Sequence, residues 1–406
     1  MKNKEEQTVP KLRFKGYTDA WQQGKLGDKV NFYSGLTYKP ENIQTNGVLV
    51  LRSSNIQNHH INLNDNIYVS PEVVNTTFVK KGDLVVVVRN GSKNLIGKHA
   101  PIKEKMNNTV IGAFMTGIRS KDNFYIKALL DSDIFKKEIQ KNLGATINQI
   151  ITGNFKKMVF PFSSQEEEKS IGNLFTKLDE TITLLQRKIE LYEFIKKVSL
   201  QSLLPSYNQI NPIVRWKHMN DSWQRIKFSQ LYKKSNEKNN LSFNFQKVIS
   251  VATMSWKDVP KNSSAEYMKT YNVIRKGDIV FEGNKSKDYE FGRFVENTLG
   301  DGIVSHVFDV YRPKNPKKNN LSFWKYYIHS EASMRNILRK STTSATMMKN
   351  LVKNDLYKQY LSVPSSLEQE KIGQLFSKLD STIGNFQDQL STLNNLKKFL
   401  LQNMFI

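Results

Sequence analysis

The sequence contains no cysteine and is short of acidic residues, because 37 aspartates and glutamates face 61 lysines and arginines. Without cysteine, disulfides and thiolate sites for zinc or iron–sulfur clusters are excluded. The longest purely apolar run, Leu84–Val88, is too short to cross a bilayer, and no hydrophobic segment follows the charged amino terminus. These absences predict a cytoplasmic protein that neither spans nor binds a membrane.

The basic excess is confined to two blocks. Residues 1–164 carry 24 basic and 13 acidic side chains and residues 205–364 carry 27 and 13, whereas residues 165–204 and 365–406 are near neutral. Such blocks favour binding to a polyanion, because each phosphate that they neutralise releases condensed counterions. A surface charge that only keeps the protein soluble is the alternative.

The 406 residues form one unit of about 200 residues written twice. The segment PKLRFKGYTDAWQ, from Pro10, matches PIVRWKHMNDSWQ, from Pro212, and VKKGDLVV, from Val79, matches IRKGDIVF, from Ile274. Each unit also contains a long amphipathic helix. Apolar residues recur at alternating steps of four and three, the seam pattern of a coiled coil, at Ile171, Phe175, Leu178, Ile182, Leu185, Ile189 and Tyr192, and at Ile372, Phe376, Leu379, Ile383, Phe386, Leu390 and Leu393.

The sequence also predicts where the elements begin and end. Capping boxes are predicted at Ser163-x-x-Glu166 and Ser365-x-x-Glu368, with the first long helix ending at Leu204–Pro205 and the second at Ile406. Strands are predicted at Gly47–Arg52, Leu84–Val88, Val248–Val251, Ile279–Phe281 and Ile303–Tyr311, and shorter helices at Phe124–Lys141 and Phe323–Lys340.

These patterns predict an α+β fold in which two mixed α/β domains are separated by two long helices. The helices pack as an intrachain antiparallel coiled coil with a pseudo-two-fold repeat, and a parallel coil is the alternative. The predicted segments are a first domain at 1–162, a first helix at 163–205, a second domain at 206–364 and a second helix at 365–406.

The sequence contains no recognisable catalytic motif. The six histidines are scattered or adjacent rather than at metal-binding helical spacing, so no metal site is predicted. Gly91–His99 departs from a phosphate-binding loop, and neither GxGxxG nor the Asn/Asp-Pro-Pro-aromatic tetrapeptide of amino-group methyltransferases is present. Glu167-x-Lys169 has a nuclease-like spacing but is more simply interpreted as part of a helix cap and a solvated face. A non-catalytic binding protein is therefore predicted.

The two helix openings carry a family resemblance. SSQEEEK, from Ser163, and SSLEQEK, from Ser365, each lead into an Ile-Gly-x-Leu-Phe-x-Lys-Leu-Asp-x-Thr-Ile segment. Together with GATINQI, from Gly144, and the two Trp-Gln pairs, this duplicated pattern resembles the specificity subunit of type I restriction–modification enzymes. Phe-Pro-Phe before the first helix and Ser-Ala-Thr-Met-Met-Lys, from Ser344, depart from that pattern.

The resemblance implies a subunit that reads an asymmetric, bipartite site in double-stranded DNA, with one target recognition domain for each half-site. The long helices would act as the spacer and would dock two methyltransferase subunits, and restriction subunits could join. S-adenosylmethionine is then expected on the methyltransferase subunits, ATP and magnesium on the restriction subunits, and no cofactor on this chain. An autonomous DNA-binding regulator or a coiled-coil scaffold is the alternative, and an enzyme acting alone is a third.

Polar segments that differ between the two copies are the candidates for base contacts. Arginine pairs with guanine and asparagine or glutamine with adenine, whereas lysine mostly contacts phosphates. For any single residue an ordinary solvated turn is the alternative. The predicted DNA-binding residues are Arg52, Ser53, Asn55, Gln57, Asn58, Arg89, Asn90, Ser92, Lys93, Asn94, Lys98, Asn284, Lys285, Lys287, Tyr289, Arg293, Arg339, Lys340, Thr342 and Thr343.

Overall fold

The computed structural model describes residues 9–143, 148–207, 209–257, 264–343 and 348–406. The chain divides into two compact units: unit 1 is Met1–Gln186 with Asp388–Ile406, and unit 2 is Arg187–Gln387. Each unit thus contains one globular domain and parts of both long helices. Among the described residues, no helix has the length and apolar character needed to cross a membrane. The predicted framework residues Gly144 and Ser344 lie outside the described residues.

Both units mix short strands with helices. In the first half of the chain the elements are β1 (Gln22–Lys25), α1 (Leu26–Lys29), β2 (Asn31–Ser34), β3 (Ile43–Gln44), β4 (Val48–Leu51), β5 (Ile56–Gln57), β6 (His60–Ile61), β7 (Ile67–Val69), β8 (Leu84–Val87), β9 (His99–Pro101), β10 (Thr109–Ile111), β11 (Met115–Arg119), α2 (Asn123–Asp131), α3 (Asp133–Asn142), α4 (Thr152–Lys157), β12 (Val159–Phe162) and α5 (Gln165–Leu203). In the second half they are β13 (Gln224–Lys227), α6 (Phe228–Leu231), β14 (Tyr232–Ser235), β15 (Ile249–Ser250), β16 (Ser255–Trp256), α7 (Ala265–Lys269), β17 (Asn272–Ile274), β18 (Ile279–Glu282), β19 (Arg293–Glu296), β20 (Gly302–Val304), β21 (Asp309–Pro313), α8 (Leu321–Tyr327), α9 (Glu331–Ser341), β22 (Thr342–Thr343), β23 (Asn350–Leu351), α10 (Lys353–Lys358), β24 (Tyr360–Val363) and α11 (Ser366–Asn403).

The central sheet has the same antiparallel order in both units, β2-β11-β8-β9 and β14-β21-β18-β19. The repeated Lys-Gly-Asp turn leads into β8 and β18, whose side chains are all buried. The aspartate of each turn is buried against an arginine of the neighbouring strand, Asp83 against Arg119 at 2.7 Å and Asp278 against Arg312 at 3.0 Å. The sequence repeat is therefore a repeat of the fold.

Two predicted helices and one predicted strand are each divided in the structure. Ser132 separates α2 from α3, because its backbone is extended and its hydroxyl caps α3 by accepting a hydrogen bond from the Phe135 N–H. Ser330 divides α8 from α9 in the same way. The run predicted as one strand from Ile303 contains a turn in which the Phe308 N–H donates to Ser305, so β20 and β21 are separate.

The first long helix begins one residue later than its predicted capping box. The Ser164 hydroxyl, rather than that of Ser163, accepts the hydrogen bond from the Glu167 N–H at 3.3 Å. The second helix has the predicted cap, since the Ser365 hydroxyl accepts from the Glu368 N–H at 3.3 Å. The shift places Glu167 in the position that Glu368 occupies in the other copy.

Within unit 1, the start of α5 and the end of α11 run antiparallel. The Phe175 and Phe405 ring centroids lie 6.0 Å apart, and Asp179 Oδ1 lies 2.7 Å from Lys397 Nζ. The residue number thus rises along α5 as it falls along α11. The end of α11 is also joined to the amino-terminal segment, because the Leu12 N–H donates to the Asn403 carbonyl at 2.9 Å.

Within unit 2, the end of α5 and the start of α11 are antiparallel as well. The Tyr192 and Phe386 rings lie 5.5 Å apart and Lys196 Nζ lies 2.6 Å from Asp380 Oδ1. All fourteen predicted seam side chains are buried or half-buried. The predicted α+β fold with antiparallel long helices is confirmed.

Candidate nucleic-acid interface

A buried carboxylate at the start of α5 joins that helix to the amino-terminal segment of unit 1. Glu167 accepts hydrogen bonds from Arg13 Nε at 2.7 Å and Nη2 at 2.8 Å, and from Trp21 Nε1 at 3.2 Å. The hydrogen bond to Glu167 raises the pKa of Arg13 above its ordinary value. Because Glu167 is fully buried, the prediction that it lies on a solvated face is wrong.

Unit 2 repeats this arrangement with Glu368. Its carboxylate accepts from Arg215 Nε at 2.9 Å and Nη2 at 2.7 Å, and from Trp223 Nε1 at 3.1 Å. The residues that match between the copies therefore form framework contacts, and the segments that differ are free to carry a different function in each unit.

A polar segment of unit 1 follows β8, and we name residues 89–98 the Arg89 loop. Its backbone is fixed on both sides. The Arg89 N–H donates to the Phe114 carbonyl at 3.2 Å, and the Asn90 N–H donates to the Asn148 carbonyl at 3.2 Å. The loop side chains are thus presented from an ordered backbone rather than from a loose turn.

The second predicted segment of unit 1, the Arg52 loop (residues 52–60), meets the Arg89 loop. Asn90 Nδ2 donates to Ser53 Oγ at 3.2 Å. Beside this contact the Arg89 guanidinium lies over the Phe114 ring, 4.9 Å from its centroid, and Phe114 is 50% exposed. Phe114 is not among the residues predicted from the sequence, because an isolated phenylalanine carries no pattern by itself.

The predicted residues of unit 1 differ in what they offer to a ligand. Asn55 is completely buried, accepting from the Arg52 N–H at 2.8 Å and donating to the Asn62 and Asp65 carbonyls at 3.0 Å each, so its side chain cannot reach a base. Arg52 is half-buried and forms an ion pair with Asp65 at 2.7 Å. The exposed predicted residues are Gln57, Asn58, Arg89, Ser92, Lys93 and Asn94, and the half-buried ones besides Arg52 are Ser53, Asn90 and Lys98.

Unit 2 carries its corresponding polar segment after β18, and we name residues 284–293 the Asn284 loop. Asn284 forms a bridge with Met348, and the Lys349 N–H donates to the Gly283 carbonyl at 2.8 Å. A Cβ atom at Gly283 would lie 2.2 Å from the Lys349 carbonyl oxygen, so this close approach requires glycine. The loop therefore has the same kind of support as the Arg89 loop.

The side chains of the Asn284 loop are mostly exposed. Asn284, Lys285 and Lys287 are exposed, and Tyr289 is half-buried. Arg293 is also half-buried, because its guanidinium donates to Glu282 Oε2 at 2.6 Å and to the Ala252 carbonyl at 3.0 Å. Like Arg89, it lies over an aromatic ring, 5.3 Å from the Tyr289 centroid.

The last four predicted residues lie at the end of α9 and in β22. Arg339 and Lys340 are exposed on the helix, and Lys340 Nζ donates to the Tyr207 hydroxyl at 2.6 Å. Thr342 and Thr343 pair with β23, which follows the Met348–Lys349 segment that supports the Asn284 loop. The fold thus brings these two separate predicted segments of unit 2 towards one another.

Unit 1 also brings together His59, His99 and Asp131, which are scattered in the sequence. Asp131 is buried at the end of α2. Burial alone would raise the pKa of Asp131, but the hydrogen bond from His99 and the charges of Lys127 and Lys397 hold that pKa well below its ordinary value. The sequence shows no metal-binding spacing, yet the fold places these three side chains next to one another.

Comparisons with known proteins agree with this architecture. The family model of the type I restriction modification DNA specificity domain matches the chain twice, over residues 18–193 and 220–395. The specificity subunit of the type I restriction enzyme MjaVIII from Methanocaldococcus jannaschii is 27% identical over 192 residues, which are 45% of this chain and 45% of that relative. The match thus spans less than half of the length of that relative.

A solved structure from M. genitalium resembles the whole chain in fold. The S subunit of a type I restriction-modification system from M. genitalium is 15% identical, with a TM-score of 0.61 over 98% of this chain and 99% of that one. The HsdS subunit from Thermoanaerobacter tengcongensis is 14% identical, with a TM-score of 0.43 over 95% and 96% of the two chains. Because the family model matches both copies and covers most of the sequence, this chain belongs to the type I restriction modification DNA specificity domain family.

Proposed function

We propose that this chain is the specificity subunit of a type I restriction–modification enzyme and reads an asymmetric bipartite DNA site, with one domain for each half-site. The observation that carries the proposal is the pair of loops that follow β8 and β18. Both are supported by the same kind of backbone contacts, but the Arg89 loop begins Arg-Asn-Gly-Ser and the Asn284 loop begins Asn-Lys-Ser-Lys. Different side chains on one framework suit two different half-sites.

In unit 1 we propose that the Arg89 loop and the Arg52 loop contact DNA together. Arg89 is exposed and its guanidinium is oriented by the Phe114 ring, which leaves its donors free to pair with a guanine edge. Asn90 and Gln57 offer amides suited to adenine, and Lys93 suits a phosphate. We retain all predicted contacts as proposals except Asn55, whose side chain is buried.

Replacing Arg89 by alanine is expected to relax sequence preference in one half-site and leave the other unchanged. A lost bidentate contact to guanine costs about 1–3 kcal/mol of discrimination, or roughly a 5- to 150-fold loss. The measurement is selection of bound sequences from a randomised duplex library by the chain assembled with its methyltransferase subunits. Arg187→Ala, an exposed arginine on the near-neutral α5, is the matched control and should leave the selected motif intact. Loss of preference in both half-sites, or in neither, would contradict the assignment.

We propose that the long helices dock two methyltransferase subunits through apolar side chains that face solvent. On α5 within unit 2, Leu191, Phe194, Ile195 and Val198 follow the spacing of one helical face and are 40–63% exposed. On α11 within unit 1, Phe399 is 54% exposed. Exposed apolar side chains on one face mark protein interaction sites.

Phe194→Glu is expected to weaken binding of a methyltransferase subunit about 30-fold or more, because a buried aromatic anchor contributes about 2 kcal/mol or more. Binding can be measured by titration of the purified subunits. The exposed residue Gln201 on the same helix provides the control Gln201→Glu, which should bind as the wild type does. Equal affinity of Phe194→Glu and the wild type, with unchanged thermal stability, would remove this face from the docking surface.

The proposal assigns no chemistry to this chain. Adenine N6 methylation would belong to the methyltransferase subunits with their S-adenosylmethionine, and DNA cleavage to restriction subunits with ATP and magnesium. The chain would act in the cytoplasm, where those subunits meet DNA, and would supply recognition and assembly. A methylated bipartite motif that requires this chain in a host expressing the methyltransferase subunit is the expected result.

A further inference from the structure

One cluster in unit 1 consists of residues that are not among the proposed DNA contacts, although His59 belongs to the Arg52 loop. His59 Nδ1 and His99 Nε2 lie 3.2 Å and 3.0 Å from the same atom, Oδ1 of Asp131. The three ligand atoms lie within 4.8 Å of one another. A tetrahedral zinc ion with bonds of about 2.0–2.1 Å separates its ligand atoms by about 3.3 Å. The cluster therefore has the dimensions of a three-ligand metal site.

The hydrogen bond of His99 fixes which of its nitrogens is available. Nδ1 lies 2.9 Å from the Gly97 carbonyl oxygen. Since a carbonyl only accepts, Nδ1 donates to it, and Nε2 is the nitrogen that faces Oδ1 of Asp131 and would bind a metal. Histidines that bind metals commonly donate their other N–H to a backbone carbonyl, as His99 does.

The other oxygen of Asp131 is already satisfied. Oδ2 accepts from Lys127 Nζ at 3.0 Å and from Lys397 Nζ at 2.9 Å. Both lysines also contact Asp179, so two carboxylates balance two ammonium groups before any cation binds. The lysines orient the carboxylate and leave Oδ1 to the two imidazoles.

A tight turn delivers the third ligand. Asn58 and His59 connect β5 to β6 with φ values of +48° and +59°, which directs His59 to Asp131. His99 and Asp131 are buried, whereas the His59 side chain is about half exposed. All three line a cleft of about 740 Å³ on unit 1, so a further coordination position would be open to water.

We propose that His59, His99 and Asp131 bind one divalent transition-metal cation of the zinc type. Two imidazole nitrogens and one carboxylate oxygen are a ligand set that zinc uses, with water in the open position. The cation would attach the hairpin of the Arg52 loop to the end of α2. It would stabilise that loop beside Lys93, Asn94 and Lys98, which line the same cleft.

Unit 2 cannot form the same site, which fixes the expected stoichiometry. In the repeated sheet, β19 takes the place of β9 and puts Phe294 where unit 1 has His99. The residue before the helix-capping serine is Asp131 in unit 1 and His329 in unit 2. Unit 2 therefore has no imidazole at the position of His99 and no carboxylate at the position of Asp131. We expect one cation per chain.

The test is calorimetric titration of the metal-free full-length chain with zinc chloride. One saturable site per chain is expected, with affinity falling at least about 100-fold in His99→Gln and His59→Ala. His218→Ala removes an exposed histidine of unit 2 and should leave the affinity unchanged. Absence of saturable binding below about 100 µM, or equal affinity in His99→Gln and the wild type, would overturn the proposal.

A second measurement tests metal binding on the wild-type chain alone, so it remains valid if a variant does not fold. Cobalt added to the wild-type chain should give the intense visible bands of a four- or five-coordinate ion, and zinc should displace it. The weak spectrum of the hexaaqua ion alone would overturn the proposal without any variant. Zinc should also raise the thermal midpoint of the wild-type chain and of His218→Ala, because binding to the folded state stabilises it.

Discussion

Glu167→Ala is expected to lower the free energy of unfolding of unit 1 by about 3–5 kcal/mol, because removing one partner leaves the other charge buried without compensation. Arg13, whose side chain is 13% exposed, would lose both hydrogen bonds to the carboxylate, and the indole N–H of Trp21 would lose its acceptor. The measurement is urea unfolding followed by tryptophan fluorescence.

The chain provides its own controls for this prediction. Glu166 is exposed one residue earlier on the same helix, so Glu166→Ala should change the free energy of unfolding by less than about 0.5 kcal/mol. Glu368→Ala should reproduce the loss in unit 2, where Arg215 and Trp223 depend on it. If Glu167→Ala and Glu166→Ala unfold at the same urea concentration, the buried carboxylate does not hold the domain to its helix.

Affinity for duplex DNA is expected to fall about 10³-fold or more between 50 and 200 mM salt, as is typical of proteins that make about six or more phosphate contacts. The reason is the charge of the two basic blocks, which are +11 for residues 1–164 and +14 for residues 205–364. Fluorescence anisotropy with a labelled duplex at several salt concentrations gives the slope of log affinity against log salt.

Substitution of single lysines shows which of them contact phosphates. Lys93→Gln in the Arg89 loop should reduce the magnitude of the slope by about one, because one released counterion is lost. Lys177→Gln changes an exposed lysine on the near-neutral α5 and should not alter the slope. An affinity that is independent of salt would show that the basic blocks serve solubility and do not contact phosphates.

The long helices could be predicted from sequence because their signal is local and repeated. The four–three spacing of apolar residues is imposed by helix geometry, and two copies of it made a coiled coil the economical interpretation. Their antiparallel direction was an expectation from the duplication, and contacts such as that between Phe175 and Phe405 confirm it within unit 1. The two Lys-Gly-Asp turns and the buried strands that follow them can also be predicted from the sequence.

Breaks within short helices could not be placed in the same way. Phe124–Lys141 has a continuous helical pattern, but the Ser132 hydroxyl serves as the cap of a new helix and ends the first one. Serine at a cap and serine inside a helix look alike without knowledge of the packing. The predicted capping box at Ser163 is wrong for a related reason. Two serines adjoin at this point, and it is the Ser164 hydroxyl that accepts the hydrogen bond from the Glu167 N–H.

Only part of the candidate site can be predicted from the sequence, because its residues come together through tertiary structure. The Arg52 and Arg89 loops were recognised by composition, but composition could not separate the buried Asn55 from the exposed Asn58. Phe114 gives no signal until Arg89 lies over its ring. Likewise His59, His99 and Asp131 are far apart in sequence and converge only when the hairpin, β9 and the end of α2 are assembled.

An exchange of the first domain tests most directly whether the two half-sites are read independently. The segment between Trp21 and Pro161 is replaced by the corresponding segment of another family member, which retains the Arg13–Glu167–Trp21 framework. Methylated adenines are then mapped across the genome of a host that also expresses the methyltransferase subunit. We expect a new sequence in one half of the motif and the original sequence in the other. A change in both halves, or an unchanged motif, would contradict it.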